Sequence, residues 1–412
     1  MITYEKFELT NGLRFLVHED ESTPMAAVNI LYNVGSRDES PDRTGFAHLF
    51  EHLMFGGSKN IPEFDDPLQH AGGDGNAFTN NDITNFYDTI PAENLETVFW
   101  LESDRMLSLR FSKRSLNVQK KVVVEEFKET CLNEPYGDLW HHINDMAYTK
   151  HPYRWPTIGL EPRHIKEATL EDVEDFFYKH YGPNNAIIVV AGKVKLGEVK
   201  ALAEKWFGEI PAREVPPRQL PVEPPQTEMK RRRVQQANVP APCLYIAFKM
   251  PPRMERDFYV TDLISDALAN GRSSRLYQQL LKEQRLFSQI DAYVTGNIDA
   301  GLFIIEGRPS EGISLETAEA AVWKILDDLK ENLIEPIEME KLQNQMESTL
   351  VFSESGVLNK ATNLAFFELL GDASLINTEA QIYTSITTEE MRQVARQIFR
   401  TENTCVLYYL PL

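Results

Sequence analysis

The segment GFAHLFEHLMFGG, residues 45–57, is apolar at nearly every position, and this pattern predicts a short helix that is buried all round. Thr44 precedes the apolar run and is expected to cap the N-terminus of the helix. Gly56 and Gly57 follow the run and are expected to end it. The sequence therefore places a core helix close to the start of the chain.

Three polar residues interrupt this apolar pattern, namely His48, Glu51 and His52. They stand at positions i, i+3 and i+4, so their side chains share one face of the predicted helix. Burying such groups without partners costs several kcal/mol, so the polar face must meet a compensating group.

A second pattern, a Thr-capped amphipathic helix followed by a β-branched strand, occurs twice in the chain. The two copies are TLEDVEDFFYKHYGPNNAIIVV from Thr169 and TTEEMRQVARQIFRTENTCVLYY from Thr387, and they align without a gap. Each half also begins with two predicted strands followed by a helix: LRFLVHED and AAVNILYNVG in the first, KRRRVQQANV and CLYIAFKMP in the second. We therefore predict an α+β protein made of two homologous domains related by internal duplication, each an antiparallel-rich sheet packed with helices.

The boundary between these halves is PAREVPPRQLPVEPPQTE, residues 211–228, in which six prolines exclude a helix or a central strand. We predict a first domain over residues 1–212, a proline-rich linker over 213–228 and a second domain over 229–412. All nine histidines lie in the first half, so any imidazole chemistry is expected in the first domain.

Composition and charge narrow the function classes. The net charge of −20 argues against nucleic-acid binding, and the one basic cluster, KRRR at 230–233, is expected to be the solvated start of a strand rather than a patch for an acidic ligand. No apolar run approaches the roughly 20 residues of a membrane span, and the N-terminus lacks the features of a signal peptide. With three widely spaced cysteines, a cytoplasmic location is the expectation, and an exported form cut from a longer precursor stays open.

A divalent metal would compensate the polar face of the predicted helix. Two histidines one helical turn apart can both bind one zinc ion, and Glu51 beside them could take a proton from a zinc-bound water. The alternative is that the polar face only pairs with other buried polar groups. A third ligand is expected on a long helix over residues 117–137, with Val122, Val123 and Phe127 packed inward; Glu126 and Glu129 share one face there, and spacing does not choose between them.

The combined motifs resemble one family. HLFEH, followed 74 residues later by Glu126 in VVVEE, and GGDGNAFTNNDITNFYDTIP at 72–91 are similar to the inverted-zincin metallopeptidases: pitrilysin, insulin-degrading enzyme and mitochondrial processing peptidase. The resemblance covers nearly the whole chain and is to the short, bacterial processing-peptidase-like branch, as a zinc-bearing subunit with the half-clam fold.

The resemblance implies a role for each matching residue. His48, His52 and Glu126 would bind one zinc ion per chain, and Glu51 would be the general base that activates the zinc-bound water as nucleophile. Asn76, Ala77, Phe78 and Thr79 would form an edge strand on which the substrate peptide lies. Gln119 and Glu129 would lie beside the ligands without binding the metal.

Two departures from the family pattern bear on activity. Gln119 stands where the family has the first Glu of Glu-x6-Glu. Leu280 and Phe287 stand where active members carry an Arg and a Tyr that hold the substrate, and neither side chain can donate a hydrogen bond. We therefore expect a zinc endopeptidase subunit that works within a dimeric chamber, as a heterodimer with a related zinc-free subunit that supplies the Arg/Tyr pair, with a homodimer as the alternative. The competing function is a non-catalytic peptide-binding or assembly subunit of a peptidase-like complex, and a third reading is a metal-stabilised structural domain.

Overall fold

The computed structural model describes residues 1–412 and contains eleven strands and fourteen α-helices. The strands are β1 (Glu5–Glu8), β2 (Arg14–Glu19), β3 (Met25–Tyr32), β4 (Asp74–Thr79), β5 (Thr84–Pro91), β6 (Ala186–Gly192), β7 (Lys230–Gln236), β8 (Cys243–Lys249), β9 (Phe287–Val294), β10 (Leu302–Pro309) and β11 (Thr404–Pro411). The helices are α1 (Phe46–Phe55), α2 (Asp65–His70), α3 (Leu95–Leu107), α4 (Lys113–Phe127), α5 (Leu139–Ala147), α6 (Pro162–Lys166), α7 (Leu170–His180), α8 (Leu196–Phe207), α9 (Arg256–Ala269), α10 (Leu315–Glu331), α11 (Pro336–Ser353), α12 (Val357–Leu369), α13 (Glu379–Thr384) and α14 (Thr388–Ile398).

The strands form two sheets with one topology. The first sheet has the order β1-β2-β6-β3-β5-β4 and the second has the order β7-β11-β8-β10-β9. Without β1, the two orders correspond strand by strand. In each sheet one pair is parallel, β2 with β6 and β7 with β11, and every other pair is antiparallel. The predicted α+β class, with two duplicated and antiparallel-rich sheets, is confirmed.

The chain divides into two compact units that are not contiguous in sequence. Unit 1 contains residues 1–128, 155–221 and 352–377, and unit 2 contains residues 129–154, 222–351 and 378–412. These units follow packing, whereas the predicted domains 1–212 and 229–412 follow chain order, so those boundaries stay a prediction about the duplication.

Each sheet is buried on both faces, which explains the continuous apolar runs of its central strands. In unit 1, Ile188 and Val190 of β6 face one core, while Ile187 and Val189 face a second core that α12 closes. In unit 2, alternate residues of β11 divide in the same way, and α5 closes the second core. The helix that covers the second face of each sheet therefore comes from a segment that interrupts the other unit in sequence: 352–377 for unit 1 and 129–154 for unit 2.

The two predicted threonine caps are confirmed. The Thr169 hydroxyl accepts the N–H of Asp172 at 3.1 Å, and the Asp172 carboxylate accepts the N–H of Thr169 at 2.8 Å. Thr387 and Glu390 form the same reciprocal pair at the start of α14. Two matching capping boxes at matching positions support the duplication.

The helix predicted over 117–137 differs from the structure at both ends. α4 begins at Lys113, because the Ser112 hydroxyl accepts the N–H of Ser115, and it continues beyond Phe127 as a π-helical turn over Lys128–Asn133. Val122 was expected to pack inward but is 44% exposed, and Val124 is buried instead. Because Val122, Val123 and Val124 are identical residues, the sequence does not show which of them face the core.

The proline-rich linker contains no helix or strand between residues 211 and 227. Its side chains nevertheless anchor it. Arg213 donates to the carbonyls of Met106 and Phe177 in unit 1. Glu223 accepts three consecutive backbone N–H groups, from residues 149–151, in unit 2.

None of the helices has both the length and the apolar character that crossing a membrane requires. The predicted cytoplasmic location stays a prediction.

Candidate metal centre

The helix that carries the polar face, α1, is held at its start by a glutamate from the preceding loop. Gly45 caps the helix with a φ of +87°, a conformation that favours glycine. The Glu39 carboxylate accepts the N–H of Gly45 at 2.9 Å and the N–H of Ala47 at 2.8 Å. The expectation that Thr44 caps α1 is wrong: its hydroxyl instead accepts the N–H of Leu160. Glu39 therefore satisfies the free N–H groups at the start of α1, a role that the residue just before a helix usually has.

The exposure of the α1 side chains follows the predicted division into faces. The apolar positions from Phe46 to Met54 are buried, while His48, Glu51 and His52 are only partly covered. The helix ends at Phe55, with Gly56 as C-cap, as predicted. One polar face thus remains accessible on an otherwise buried helix.

That face meets Glu126 of α4. The Nε2 atoms of His48 and His52 lie 3.2 Å apart. Of the Glu126 carboxylate oxygens, Oε1 lies 3.5 Å from His48 Nε2 and Oε2 lies 3.2 Å from His52 Nε2. One ligand atom from each of the three residues falls within 4.8 Å of the other two. The structure therefore brings together the three residues that the sequence nominated from positions 74 residues apart.

This arrangement fits a tetrahedral metal ion. Zinc binds histidine nitrogen and carboxylate oxygen at about 2.0–2.1 Å, so two ligand atoms on a tetrahedral ion lie about 3.3 Å apart. The separation of 3.2 Å between the two Nε2 atoms matches that value. The two Glu126 oxygens lie at similar distances, Oε2 at 3.2 Å from His52 and Oε1 at 3.5 Å from His48. Two imidazoles and one carboxylate, with the fourth position open, are also the donor set of catalytic zinc sites.

The electrostatics of the site favour the protonation states that bind a metal. Burial lowers the pKa of His48, with His52 adding to the effect and Glu126 opposing it, so the neutral imidazole is favoured. The hydrogen bond with His52 lowers the pKa of Glu126, so its carboxylate is favoured. A neutral histidine and an ionised carboxylate are the forms that coordinate metal.

The other nominated residues of α4 and its extension lie outside this group of three. Gln119 is half-buried on α4 near Gly56, at the far end of α1 from His48. Glu129 is exposed in the π-helical turn, and Glu125 is exposed and paired with Lys128. Of the two acids that spacing could not separate, Glu126 is the one that meets the histidines.

The segment Asn76-Ala77-Phe78-Thr79 lies on β4, which is the edge strand of the first sheet and packs beside α1. β4 pairs with β5 on one side only. Side chains alternate along it, with Asn76 and Phe78 exposed and Ala77 and Thr79 half-buried. An edge strand of this kind offers unpaired backbone groups to an extended peptide.

Sequence reasoning missed a buried charge at the far end of α1. The guanidinium of Arg105 is fully buried between the rings of Phe64 and Phe86, at 4.2 and 4.3 Å, and lies 5.6 Å from the ring of Phe55. It donates to both carboxylate oxygens of Glu102. The sequence of α3 contains charged residues between apolar ones, and this pattern is the same whether the charged side chains are buried or lie on an exposed face.

The two positions matched to the family's Arg and Tyr lie in unit 2. Leu280 and Phe287 are both buried in its hydrophobic core, so neither faces solvent. Their sequence neighbours Leu281 and Ser288, also seven residues apart, are half-buried and exposed. These accessible positions likewise carry no guanidinium or phenol.

Comparison with protein-family models matches two consecutive parts of the chain. Residues 14–159 match the model described as insulinase (peptidase family M16), and residues 167–346 match the model described as peptidase M16 inactive domain.

Individual relatives agree with these models. The zinc protease PqqE of Helicobacter pylori is 27% identical over 99% of this chain and 93% of its own length. The β subunit of the mitochondrial-processing peptidase of Saccharomyces cerevisiae is 23% identical over 85% of this chain and 78% of its own length. The crystal structure of a protease from Helicobacter pylori superposes with a TM-score of 0.93 at 27% identity, over the full length of both chains. Since the two matched models are parts of one family and the similarity runs through both units, the chain belongs to peptidase family M16, the insulinase family.

Proposed function

We propose that this chain is a zinc-dependent endopeptidase subunit. The observation that carries the proposal is the mutual approach of His48, His52 and Glu126, at separations that suit a tetrahedral ion. The relatives named as zinc proteases support the choice of zinc. One zinc ion per chain would be held by these three side chains.

Glu51 is the proposed general base. It lies on the accessible face of α1, three residues from His48 and one from His52, and is outside the group of three ligands. Zinc bound at this site would lower the pKa of a water molecule and polarise the scissile carbonyl. The Glu51 carboxylate takes a proton from the attacking water and returns it to the leaving amine nitrogen.

The substrate is proposed to be an extended peptide that adds to the free edge of β4. The edge lies beside α1, so backbone hydrogen bonds to residues 76–79 would align a peptide with the metal centre. Backbone pairing is insensitive to sequence, which suits an enzyme that hydrolyses varied unfolded peptides.

A second subunit is proposed to hold the substrate. The accessible residues at the relevant spacing, Leu281 and Ser288, lack a cation and a phenol, and Leu280 and Phe287 are buried. A related zinc-free chain that supplies the Arg/Tyr pair in a heterodimer would complete the site, with a homodimer as the alternative.

The competing proposal is a non-catalytic subunit that binds peptides or supports assembly. The match of residues 167–346 to a domain described as inactive favours it for that part of the chain, which has no metal-ligand group. The retained set of His48, Glu51, His52 and Glu126 favours the catalytic proposal for unit 1.

Glu51→Gln separates the two proposals. Zinc content should stay near one per chain, while cleavage of a quenched peptide by the chain with its partner should fall by about 100-fold to 10,000-fold. Glu125→Gln, an exposed acid on α4, is the matched control and should leave both unchanged. Unaltered turnover in Glu51→Gln would exclude Glu51 as base, and a chain that takes up no zinc would refute the metallopeptidase proposal.

The partner requirement is tested separately. We expect little activity from the purified chain and a large gain when a related chain that carries the Arg/Tyr pair is added. Full activity of the chain alone would refute the heterodimer proposal but leave the metal centre unaffected.

A further inference from the structure

The two sheets differ at one edge. In the first sheet, β1 pairs antiparallel with the outer side of β2. In the second sheet, β7 takes the place of β2, because each lies parallel to the central strand of its sheet. No strand covers the outer side of β7. The edge position that β1 occupies in the sheet of unit 1 therefore has no strand in the sheet of unit 2.

The strand registers define the equivalent positions. Phe15 of β2 pairs with Ile188 of β6, and Arg231 of β7 pairs with Val406 of β11. Ile188 and Val406 are themselves equivalent in the aligned repeat. The run Arg14-Phe15-Leu16-Val17 in unit 1 thus corresponds to Lys230-Arg231-Arg232-Arg233 in unit 2.

The strand that fills the position in unit 1 is acidic and carries one aromatic ring. β1 has the sequence EKFE, and its Phe7 stacks on Phe15 with centroids 5.0 Å apart and the rings nearly parallel. Glu8 lies opposite Arg14 across the pair, and Glu5 lies opposite Val17.

The corresponding side of β7 is basic and borders a cavity. Its arginines already pair with carboxylates of unit 2: Arg231 with Glu319, Arg232 with Asp145 and Arg233 with Glu316. Arg231 and Arg233 lie over the ring of Tyr408, at 5.2 and 5.1 Å, and line a cavity of about 520 Å³ against α10. Arg233 pairs with Glu316, and both side chains are about 60% exposed. Exposed ion pairs contribute little to stability, so Arg233 can exchange its partner at small cost.

We propose that the outer edge of β7 binds an extended acidic segment of a partner protein by antiparallel strand addition. In the register that β1 uses, acidic residues would lie opposite Lys230, Arg232 and Arg233, and an aromatic ring would lie opposite Arg231. Opposite charges across a strand pair are favourable, and an aromatic ring stacks well on a guanidinium. The preferred occupant therefore has the pattern acid-acid-aromatic-acid.

A cationic edge also has a protective role, since charged edges prevent sheets from pairing with one another. Two copies of β7 would repel each other for this reason. An acidic strand would compete with the intramolecular carboxylates for the same guanidinium groups, and the Arg233–Glu316 pair is the most exposed of them. Unit 1 shows that a strand fits the equivalent edge of its sheet. The proposal does not depend on the metal centre.

The probe is a labelled peptide of residues 2–10 with Lys6→Glu, which has the preferred pattern, titrated into the full chain and followed by fluorescence anisotropy. We expect saturable binding with a Kd below about 1 mM that weakens as salt is added. The charge-reversed peptide, which is residues 2–10 with Glu5→Lys and Glu8→Lys and with the natural Lys6, should not bind. A version of the acidic peptide N-methylated at residues 5–8 keeps the charges but cannot form the backbone ladder, and it should also fail.

Arg233→Glu locates the site. It should weaken binding of the acidic peptide by roughly threefold to tenfold and allow the charge-reversed peptide to bind. Arg163→Glu, equally exposed on unit 1, is the matched control and should change neither. The proposal is overturned by the absence of saturable binding below about 1 mM, by equal effects of the two variants, or by tight binding of the N-methylated peptide.

Discussion

The start of α1 depends on one carboxylate. Glu39 is 8% exposed and accepts two backbone N–H groups, those of Gly45 and Ala47, which no other group in the helix can satisfy. Burial raises the pKa of Glu39 well above its usual value, and the hydrogen bonds from Ala47 and Gly45 oppose this shift because they stabilise the carboxylate.

Glu39→Ala leaves both buried N–H groups without a partner. Each such group costs about 1–3 kcal/mol, so the first turn of α1 should lose about 2–6 kcal/mol. Glu39→Gln keeps one carbonyl oxygen and turns an NH2 group towards the other N–H, so it should lose about half of that amount. His48 is the third residue of the helix, and zinc affinity should fall about tenfold with the loss of this support.

Amide hydrogen exchange of the metal-free chain measures this loss locally. In Glu39→Ala, a peptide that spans residues 46–55 should exchange about 30-fold to 20,000-fold faster, since about 1.4 kcal/mol corresponds to a factor of ten. Glu125→Ala, an exposed acid on α4, is the control and should change exchange little. Less than a threefold change in Glu39→Ala would refute the assignment of Glu39 as the cap of α1.

Two further predictions concern buried groups of unit 1. Arg105→Met should destabilise the unit by about 3–5 kcal/mol, because it leaves the buried carboxyl groups of Glu102 and Asp88 without their cation, and adding Glu102→Leu should recover only part of the loss in a urea titration. Burial lowers the pKa of His180 to about 4, so the unfolded chain takes up this proton first as the pH falls. His180 therefore costs no stability above about pH 6.5 but up to about 3 kcal/mol by pH 4, and His180→Phe should remove that part of the acid sensitivity in urea titrations at pH 7 and pH 4.

Local patterns predicted the features that depend on neighbouring residues. The i, i+3, i+4 spacing of His48, Glu51 and His52 fixed one polar face, and the Thr169 and Thr387 caps follow from side chains three residues apart. Such contacts lie within one helical turn, so helix geometry alone determines them.

Contacts between elements were harder to predict. Glu39 caps a helix across a loop, and nothing in the local pattern distinguishes it from a neighbouring surface acid. The exchange of α5 and α12 between the units was also missed, because an apolar helix face does not encode which sheet it will cover. Leu280 and Phe287 illustrate a smaller error: a motif spacing places residues in sequence but does not say which of two adjacent positions faces the core.

In unit 2, a pair of polar residues at positions i and i+4 of a helix has its hydrogen bonds satisfied by protein groups alone. α9 follows β8 as α1 follows β3, and it carries Asp262 and Asp266 one turn apart. Tyr383 donates to Asp262 at 2.6 Å, and Asn270 donates to Asp266 at 2.9 Å. Burial raises the pKa of Asp262 to about 6 and also raises the pKa of Asp266, and protein donors satisfy both carboxyl groups.

The pair on α1 has the opposite environment. His48 and His52 turn their Nε2 atoms towards each other and towards a carboxylate, and the pKa shifts keep His48 neutral and Glu126 ionised. Three electron-pair donors that converge on one point repel one another unless a proton or a cation lies between them. A cation satisfies all three at once, whereas one proton satisfies only one pair. The two helices therefore satisfy an i, i+4 polar pair in different ways: the pair on α9 is met by protein donors, whereas the pair on α1 presents donor atoms that suit a metal ion.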